Sequence, residues 1–184
     1  MRATSIALTA AFAAAAGYGQ NFGAAENLAP YVPTPQAIVE KMLEAAHVKP
    51  GETVYDLGSG DGRVVITAAQ KFGANAVGIE VRADLCRIAT EKIKALGLQD
   101  RVHMMQASAL HVDLSPADVV TMVLLTSSNE LMKPQLVKYL KPGARVVSNQ
   151  FPIKGWKPVE TVKARAGTME HTVYVYEIGR SNQN

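Results

Sequence analysis

The chain contains almost no cysteine, and its basic residues form no cluster. Cys86 is the only cysteine among 184 residues, so an intramolecular disulfide cannot form. The four histidines lie far apart, without the spacing typical of metal ligands, and we expect no metal site. The 19 lysine and arginine residues give a net charge of +3 and are spread along the chain. Because nucleic-acid backbones are bound by clustered basic residues, nucleic-acid binding is not expected.

Long hydrophobic runs are also missing. The weakly apolar stretch at residues 6–16 is well below the roughly 20 residues that cross a bilayer. It follows Met1-Arg2 and contains the small residues Ala14-Ala15-Ala16, which makes residues 1–20 typical of a secretory signal. The prediction is therefore export, to the periplasm or out of the cell. The alternatives are an Ala-rich tail on a cytoplasmic protein and an uncleaved tether, the one route by which we expect membrane association.

What remains has the composition of one folded domain. Hydrophobic residues make up 48% of the chain and charged residues 19%, as in ordinary globular proteins. A length of 184 residues leaves little room for a separate substrate domain. We expect residues 21–30 to be a linker and residues 31–184 to form the domain.

Short apolar runs alternate with helical patterns in this domain, which indicates an α/β fold with a parallel sheet and crossover helices. Thr34 is predicted to cap the first helix, with Pro35 at its first position. The apolar face of that helix consists of Ile38, Val39, Met42, Leu43 and Ala46. Further helices are expected over residues 63–72 and 83–96 and up to Leu140, the last with Pro134 in its first turn. Strands are expected at residues 53–57, 74–80, 101–106, 117–125 and 144–150, followed by an antiparallel hairpin of residues 158–164 and 171–178 joined through residues 166–167.

A glycine-rich turn follows the first predicted strand. Asp56 and Leu57 precede Gly58, Ser59, Gly60, Asp61 and Gly62, where glycines let the backbone turn sharply and approach a ligand. The dinucleotide fingerprint G-x-G-x-x-G fails, because its sixth position is Arg63. The acidic residues Asp56 and Asp61 would repel phosphate. The turn therefore favours a ligand that carries an ammonium and a sulfonium group and no phosphate.

Two further residues end neighbouring predicted strands. Glu80 lies 22 residues after Gly58, where a carboxylate can accept hydrogen bonds from both hydroxyls of a ribose. Ser108 follows the third strand and either hydrogen-bonds an adenine or caps a turn. The glycines could instead form a turn without a ligand, and Glu80 could be a solvent-exposed residue at the end of a strand. Taken together, the pattern predicts a site for a cationic adenosine compound.

These motifs resemble the class I S-adenosylmethionine-dependent methyltransferases over residues 31–178. The resemblance implies a Rossmann-like, seven-stranded, mostly parallel sheet with helices on both faces, and S-adenosylmethionine as cofactor. The segments at residues 31–35, 54–63, 140–148 and 151–156 are similar to a narrower branch. That branch includes the mitochondrial protein-lysine methyltransferases acting on the ATP synthase c subunit and the adenine nucleotide translocase.

The resemblance also implies roles for individual residues. Asp56 and the backbone of residues 58–62 would hold the methionine part of the cofactor, and Glu80 its ribose. Tyr31 and Thr34 would lie against the cofactor as an N-terminal flap. Many family members have an acidic residue where this chain has Ser108. Residues 124–129 also lack the Asn/Asp-Pro-Pro-aromatic motif of many amino-group methyltransferases, so that motif gives no substrate.

A lysine acceptor must be neutral to react, which costs roughly 4–5 kcal/mol at pH 7 because the pKa of a solvent-exposed lysine is about 10.4. An apolar, aromatic-rimmed pocket would favour the neutral form. Phe151 and Trp156 are candidates for that rim, with packing in the core as the alternative. Thr126 and Asn129 either face the acceptor at the end of the fourth strand or, with Ser127 and Ser128, cap a helix.

The leading hypothesis is transfer of a methyl group to the nitrogen of a protein lysine. No catalytic base is assigned, because an activated methyl group and correct positioning suffice for in-line displacement. A small-molecule acceptor is the enzymatic alternative, and a non-catalytic nucleoside-binding or interaction module is the alternative of another class.

Overall fold

The computed structural model describes residues 27–183. The signal-like residues 1–20 and residues 21–26 of the expected linker lie outside this range. Among residues 27–183 there is no helix long and apolar enough to cross a bilayer.

Seven strands and four α-helices make up the described chain, together with a short 3₁₀ helix at Ala109–His111. The strands are β1 (Thr53–Leu57), β2 (Asn75–Glu80), β3 (Val102–Gln106), β4 (Val119–Met122), β5 (Arg145–Asn149), β6 (Glu160–Ala166) and β7 (Met169–Glu177). The helices are α1 (Gln36–Ala45), α2 (Arg63–Phe72), α3 (Ala83–Ala95) and α4 (Thr126–Tyr139).

The strands form one sheet in the order β3-β2-β1-β4-β5-β7-β6. β1 to β5 pair in parallel, whereas β7 is antiparallel to both β5 and β6. The seven-stranded fold with an antiparallel C-terminal hairpin is therefore confirmed. The carboxyl ends of β1, β2, β4 and β5 lie along one edge of the sheet, where parallel sheets bind ligands.

Helices cover both faces of the sheet, as predicted. Neighbouring residues of β1 point to opposite sides: Val54 packs with the apolar residues of α1 and α2, and Tyr55 packs on the side of α4. All five residues of the predicted apolar face of α1 are fully buried. Burial on both faces explains why the central strands consist largely of apolar residues.

Three local predictions were wrong. The N-cap of α1 is Pro35 and not Thr34, since the Pro35 carbonyl accepts the first helical hydrogen bonds. Pro134 lies inside α4, not in its first turn, and this helix stays on the sheet because Met132 and Leu136 are buried. The hairpin loop consists of residues 167–168, because β6 extends to Ala166.

Candidate functional site

The chain leaves β1 through a turn built from three glycines. Gly58, Gly60 and Gly62 have φ angles of 77°, 56° and 78°, in the left-handed region that glycine adopts without strain. The N–H groups of Gly58 and Ser59 both donate to the carbonyl of Ile79, at 2.9 Å. This turn, which we call the glycine turn (residues 58–62), is thereby attached to the end of β2.

Close contacts also require glycine at these positions. A Cβ atom on Gly60 would lie 2.6 Å from the ring of Tyr31, and one on Gly62 would lie 2.9 Å from the Cβ of Ala89 in α3. Atoms at such distances cannot pack without displacement. The glycine turn therefore lets the Tyr31 ring lie directly against its backbone and lets α3 approach it closely.

Glu80 joins the end of β2 to the glycine turn. Its Oε2 accepts a hydrogen bond from the N–H of Gly60 at 2.8 Å, and its Oε1 accepts one from the N–H of Arg82 at 2.9 Å. Each carboxylate oxygen keeps a lone pair for a further donor. Only 6% of Glu80 is exposed. The structure thus brings Glu80 and the glycine turn together, as the sequence predicted.

Asp56, at the end of β1, is a buried carboxyl group beside the glycine turn. The hydroxyl of Thr121 donates to its Oδ1 at 2.6 Å. Burial raises the pKa of Asp56 to about 6, while the Thr121 hydrogen bond acts in the opposite direction and the nearby charge of Glu80 adds to the increase. A cationic group in the cleft would favour the charged form of Asp56.

Asp61 is in a different electrostatic state from Asp56. Arg63 donates to both of its carboxylate oxygens at 2.9 Å, and Lys92 of α3 donates to Oδ2 at 2.8 Å. The hydrogen bonds from Arg63 hold the pKa of Asp61 well below its usual range. Its charge is therefore compensated, which corrects the expectation that Asp61 repels phosphate; that effect now rests on Asp56 and Glu80.

Residues 27–34 form a flap over one side of the cleft. The Nη1 of Arg63 donates to the carbonyl of Thr34 at 2.7 Å, and the hydroxyl of Ser128 donates to the carbonyl of Leu28. The ring of Tyr31 rests on the glycine turn. Arg63 thus links the flap to the turn, a role that sequence reasoning missed. Its position directly after the last glycine was the available signal.

A cleft lies between the flap, the glycine turn and the carboxyl ends of β2 and β4. Of the predicted cofactor residues, nine line this cleft or form its turn: Tyr31, Thr34, Asp56, Gly58, Ser59, Gly60, Asp61, Gly62 and Glu80. The structure adds lining residues that the sequence did not single out, among them Val81, Leu85, Val123 and Leu124. Together with Leu28 and Ile79, these residues form the apolar part of the lining.

Ser108 does not line the cleft, although its neighbours Ala107 and Ala109 do. Its carbonyl accepts from the N–H of His111 at 3.1 Å at the start of the 3₁₀ helix. Its hydroxyl is buried and has no hydrogen-bond partner among residues 27–183. The Ser108 side chain therefore does not reach the cleft in which an adenine would lie. The alternative role is not observed either, since the Ser108 hydroxyl does not cap the 3₁₀ helix.

The four predicted acceptor residues lie outside this cleft. Thr126 is the first residue of α4, and Asn129 is fully buried, donating to the hydroxyl of Ser148 and to the carbonyl of Phe151. Phe151 is half-buried, and its carbonyl also accepts from Ser148. The alternative of helix capping by residues 127–129 is wrong, since the N-cap of α4 is Leu125 and no side chain caps the helix. The acceptor role of these residues stays a prediction.

Trp156 packs against the core. Its ring meets that of Tyr176 edge to face, with centroids 5.9 Å apart at 71°, and it joins the apolar cluster beneath α4. This is the core-packing alternative of the sequence analysis. Trp156 therefore packs at the end of the sheet and is not among the residues that line the cofactor cleft. Its place at the rim of an acceptor pocket stays a prediction.

A comparison with protein families matches residues 56–160 to the ANTKMT methyltransferase domain. A protein-lysine N-methyltransferase of Saccharolobus islandicus is 50% identical over 151 residues, which cover 82% of this chain and 94% of the relative. The adenine nucleotide translocase lysine N-methyltransferase of Mus musculus is 34% identical over 149 residues. That alignment covers 81% of this chain but only 63% of the mouse protein.

Among solved structures, an RNA methyltransferase of Salinibacter ruber in complex with S-adenosyl-L-homocysteine superposes with a TM-score of 0.75. It is 44% identical in sequence, and the match covers 80% of this chain and 94% of that protein. The two names differ in the acceptor, a protein lysine in one and RNA in the other.

Proposed function

Because this chain belongs to the ANTKMT methyltransferase family and is an S-adenosylmethionine-dependent methyltransferase, we propose that it methylates the side-chain nitrogen of protein lysines. The observation that best supports lysine as the acceptor is the 50% sequence identity to the Saccharolobus islandicus protein-lysine N-methyltransferase, over nearly the whole length of that protein.

The cleft fits the cofactor. Gly60 lets the Tyr31 ring of the flap lie against the turn, Asp56 supplies a carboxyl group for the ammonium, and Glu80 has lone pairs for two ribose hydroxyls. Within residues 27–183 neither carboxyl group is in an ion pair with a side-chain cation, so the cleft favours a positively charged ligand. When bound, S-adenosylmethionine supplies an activated methyl group on its sulfonium.

The residues of the chain provide positioning and exclusion of water. The flap, fixed by Arg63, covers the cleft, and Val123 and Leu124 lie where β4 ends. An amine that enters beside these apolar residues loses solvation, which lowers its pKa and favours the neutral, reactive form. Correct orientation of the two reactants supplies much of the remaining acceleration.

RNA is the second candidate acceptor, favoured by the name of the Salinibacter ruber protein. The basic side chains around the cleft argue for protein instead. Arg63 and Lys92 are both bound to Asp61, and Arg82 is bound to Asp84. Since these three cations are already paired, they are poorly suited to bind a phosphate backbone.

The test is methyl transfer from radiolabelled S-adenosylmethionine to protein and RNA from the native cells, assayed separately. We expect label in the protein fraction, recovered as methyl-lysine after acid hydrolysis, and none with Gly60→Arg. Label in the RNA would overturn the lysine acceptor. Label in the low-molecular-weight fraction would favour a small-molecule acceptor, and cofactor binding without any transfer would favour a binding module.

We also propose that the protein is exported, as residues 1–20 lead us to expect. N-terminal sequencing of the protein from its native cells tests this. A mature chain that begins after residue 16 would support export, whereas an intact Met1-Arg2 start in the cytoplasmic fraction would contradict it.

A further inference from the structure

Buried polar atoms without a partner are concentrated at the ligand-binding edge of the sheet. Leaving such an atom unpaired costs folding free energy, so each one requires an explanation. Within residues 27–183 these atoms belong to six side chains: Ser59, Ser108, Gln135, Asn129, Asn149 and His171. Ser59 and Ser108 adjoin the cofactor cleft, and Gln135 lies in α4. Asn149 and His171 form a pair that the cofactor cleft does not explain.

Asn149 lies next to the wall of the cleft. It is the last residue of β5, and the parallel register pairs Ser148 with Met122, so Asn149 is level with Val123. Val123 lines the cleft, and it packs in the same core cluster as Val147. Side chains alternate along a strand, so Asn149 and Val147 point to the same face. Asn149 is therefore one strand beyond the cleft, on the face of the sheet covered by α1 and α2.

His171 completes the pair from β7. Its Nδ1 is 3.4 Å from the side-chain nitrogen of Asn149, and both residues are more than nine-tenths buried. The Oδ1 of Asn149 and the Nε2 of His171 have no partner among residues 27–183. Because β7 is antiparallel to β5, the N-terminal end of β7 lies at the carboxyl edge of the parallel strands, where the acceptor must approach.

A strained turn holds this pair in place. Gln150, directly after Asn149, has a φ of 69°, which side chains other than glycine rarely adopt. Its N–H donates to the carbonyl of Thr172 at 2.8 Å, and its Oε1 accepts from the N–H of Thr172 at 3.1 Å. Such strain occurs at functional sites, where surrounding contacts maintain it. Here the contacts lock the ends of β5 and β7 together beside Asn149 and His171.

The hydrogen-bonding capacity of the pair matches a primary amine. If the Asn149 amide donates to Nδ1, the proton of His171 is on Nε2 and Oδ1 of Asn149 is the free acceptor. If the amide is reversed, Nε2 is the free acceptor. In both arrangements the pair presents one acceptor and one N–H donor, which is on Nε2 in the first arrangement and on the Asn149 amide in the second. A neutral lysine amine has two N–H donors, and binding one of them leaves its lone pair free to react.

We propose that Asn149 and His171 form the polar end of the acceptor pocket and bind an N–H of the substrate's primary amine. The inference rests on the proposed function, because it concerns the same reaction. It adds the residues that orient the lysine, which neither the sequence motifs nor the cofactor cleft identified. The pair is distinct from the core residue Trp156 and from Asn129, whose Nδ2 already donates to Ser148 and Phe151 and whose Oδ1 alone lacks a partner within residues 27–183.

The first experiment detects amine binding without turnover. Protein with ¹⁵N-labelled histidine is saturated with S-adenosylhomocysteine and titrated with n-butylammonium, a mimic of the lysine side chain. The ring nitrogens of His171 should shift, whereas n-butyltrimethylammonium, which has no N–H, should leave them unchanged. Asn149→Leu should reduce the butylammonium shift. Equal shifts with both compounds, or none with either, would overturn the proposal.

The second experiment separates binding from folding. Asn149→Leu and His171→Phe each remove one member of the pair and break its internal hydrogen bond, which disrupts the acceptor or its orientation. Asn149→Asp keeps an acceptor at position 149, and Gln135→Leu is a matched change of a half-buried amide in α4 whose Oε1 also lacks a partner within residues 27–183. The first two should raise KM for the lysine substrate about tenfold, equivalent to one lost hydrogen bond, and keep the S-adenosylhomocysteine affinity. Asn149→Asp and Gln135→Leu should stay near wild-type KM.

The results distinguish the two proposals. A butylammonium shift at His171 in a protein that labels no lysine would contradict the proposed function and support the amine site. Lysine methylation with unchanged KM in both Asn149→Leu and His171→Phe would contradict the amine site alone. A loss of cofactor affinity equal to the loss of activity would show that the pair has only a structural role.

Discussion

Replacement of Asp56 by asparagine should stabilise the protein and weaken cofactor binding at the same time. Burial raises the pKa of Asp56 from 3.8 to about 6, so the charged carboxylate is unfavourable in the fold. Each pKa unit corresponds to about 1.4 kcal/mol, which gives about 3 kcal/mol of lost stability above pH 6. The amide oxygen introduced by Asp56→Asn can still accept from Thr121, but the buried NH₂ group beside it costs about 1 kcal/mol.

The sign of the pH dependence follows from this shift. Between about pH 4 and pH 6 the folded protein holds a proton that the unfolded chain has lost, so wild-type stability falls as the pH rises. The variant has no such titration. Near pH 4 we therefore expect a Tm for Asp56→Asn that is about 2–4 °C lower, because only the cost of about 1 kcal/mol for the buried NH₂ group remains. At pH 7.5 we expect a Tm that is about 4–8 °C higher, from a net gain of about 2 kcal/mol.

Cofactor binding should change in the opposite direction. The variant lacks the negative charge for the cofactor's ammonium, and loss of one charge-assisted hydrogen bond weakens affinity about 10- to 100-fold. Differential scanning fluorimetry and calorimetry with S-adenosylmethionine measure the two effects. Asp61→Asn is the control: Arg63 and Lys92 hold the pKa of Asp61 low, so its loss should lower the Tm at pH 7.5. A less stable Asp56→Asn at pH 7.5 would refute the reasoning.

Three further substitutions test other parts of the site. Gly60→Ala should lower cofactor affinity at least tenfold by calorimetry because its Cβ meets the Tyr31 ring, whereas Gly51→Ala, also at positive φ but in open space, should leave affinity unchanged. Arg63→Met should speed proteolysis within residues 27–34 and weaken cofactor binding; unaltered cleavage would argue against its link to the flap. Trp156→Ala should cost about 2 kcal/mol in urea unfolding and leave the KM for the lysine substrate at the wild-type value; a raised KM would support a place for Trp156 at the acceptor rim.

The fold could be predicted because its signals are local. The apolar run of β1 and the stop of α2 at Gly73 reflect strand and helix geometry that depends on few distant contacts. The ends of the strands were harder to predict from sequence. We expected the fourth strand at residues 117–125, but β4 spans only Val119–Met122, because the chain leaves the sheet after Met122 to line the cleft and enter α4. We placed Pro134 in the first turn of a helix because proline is most common there. The tertiary contacts of its buried neighbours, which keep it inside α4, cannot be read from the sequence.

The residues predicted to bind the cofactor come together in one cleft, whereas those predicted to bind the acceptor lie outside it. The glycine turn and Glu80 follow consecutive strands, so topology alone brings them together. The pairing of Asp61 with Lys92 depends on how α3 packs, which no spacing reveals. Asn129 follows a strand end too, but α4 turns it inward, toward Ser148.

The hydrogen bond from Arg63 to Thr34 has a mechanical consequence. The flap is also the stretch of polypeptide through which everything N-terminal to residue 27 is joined to the domain. The carbonyls of Leu28 and Thr34 are both hydrogen-bonded to the domain, through Ser128 and Arg63, so any segment that precedes the flap is attached at two points before α1 begins.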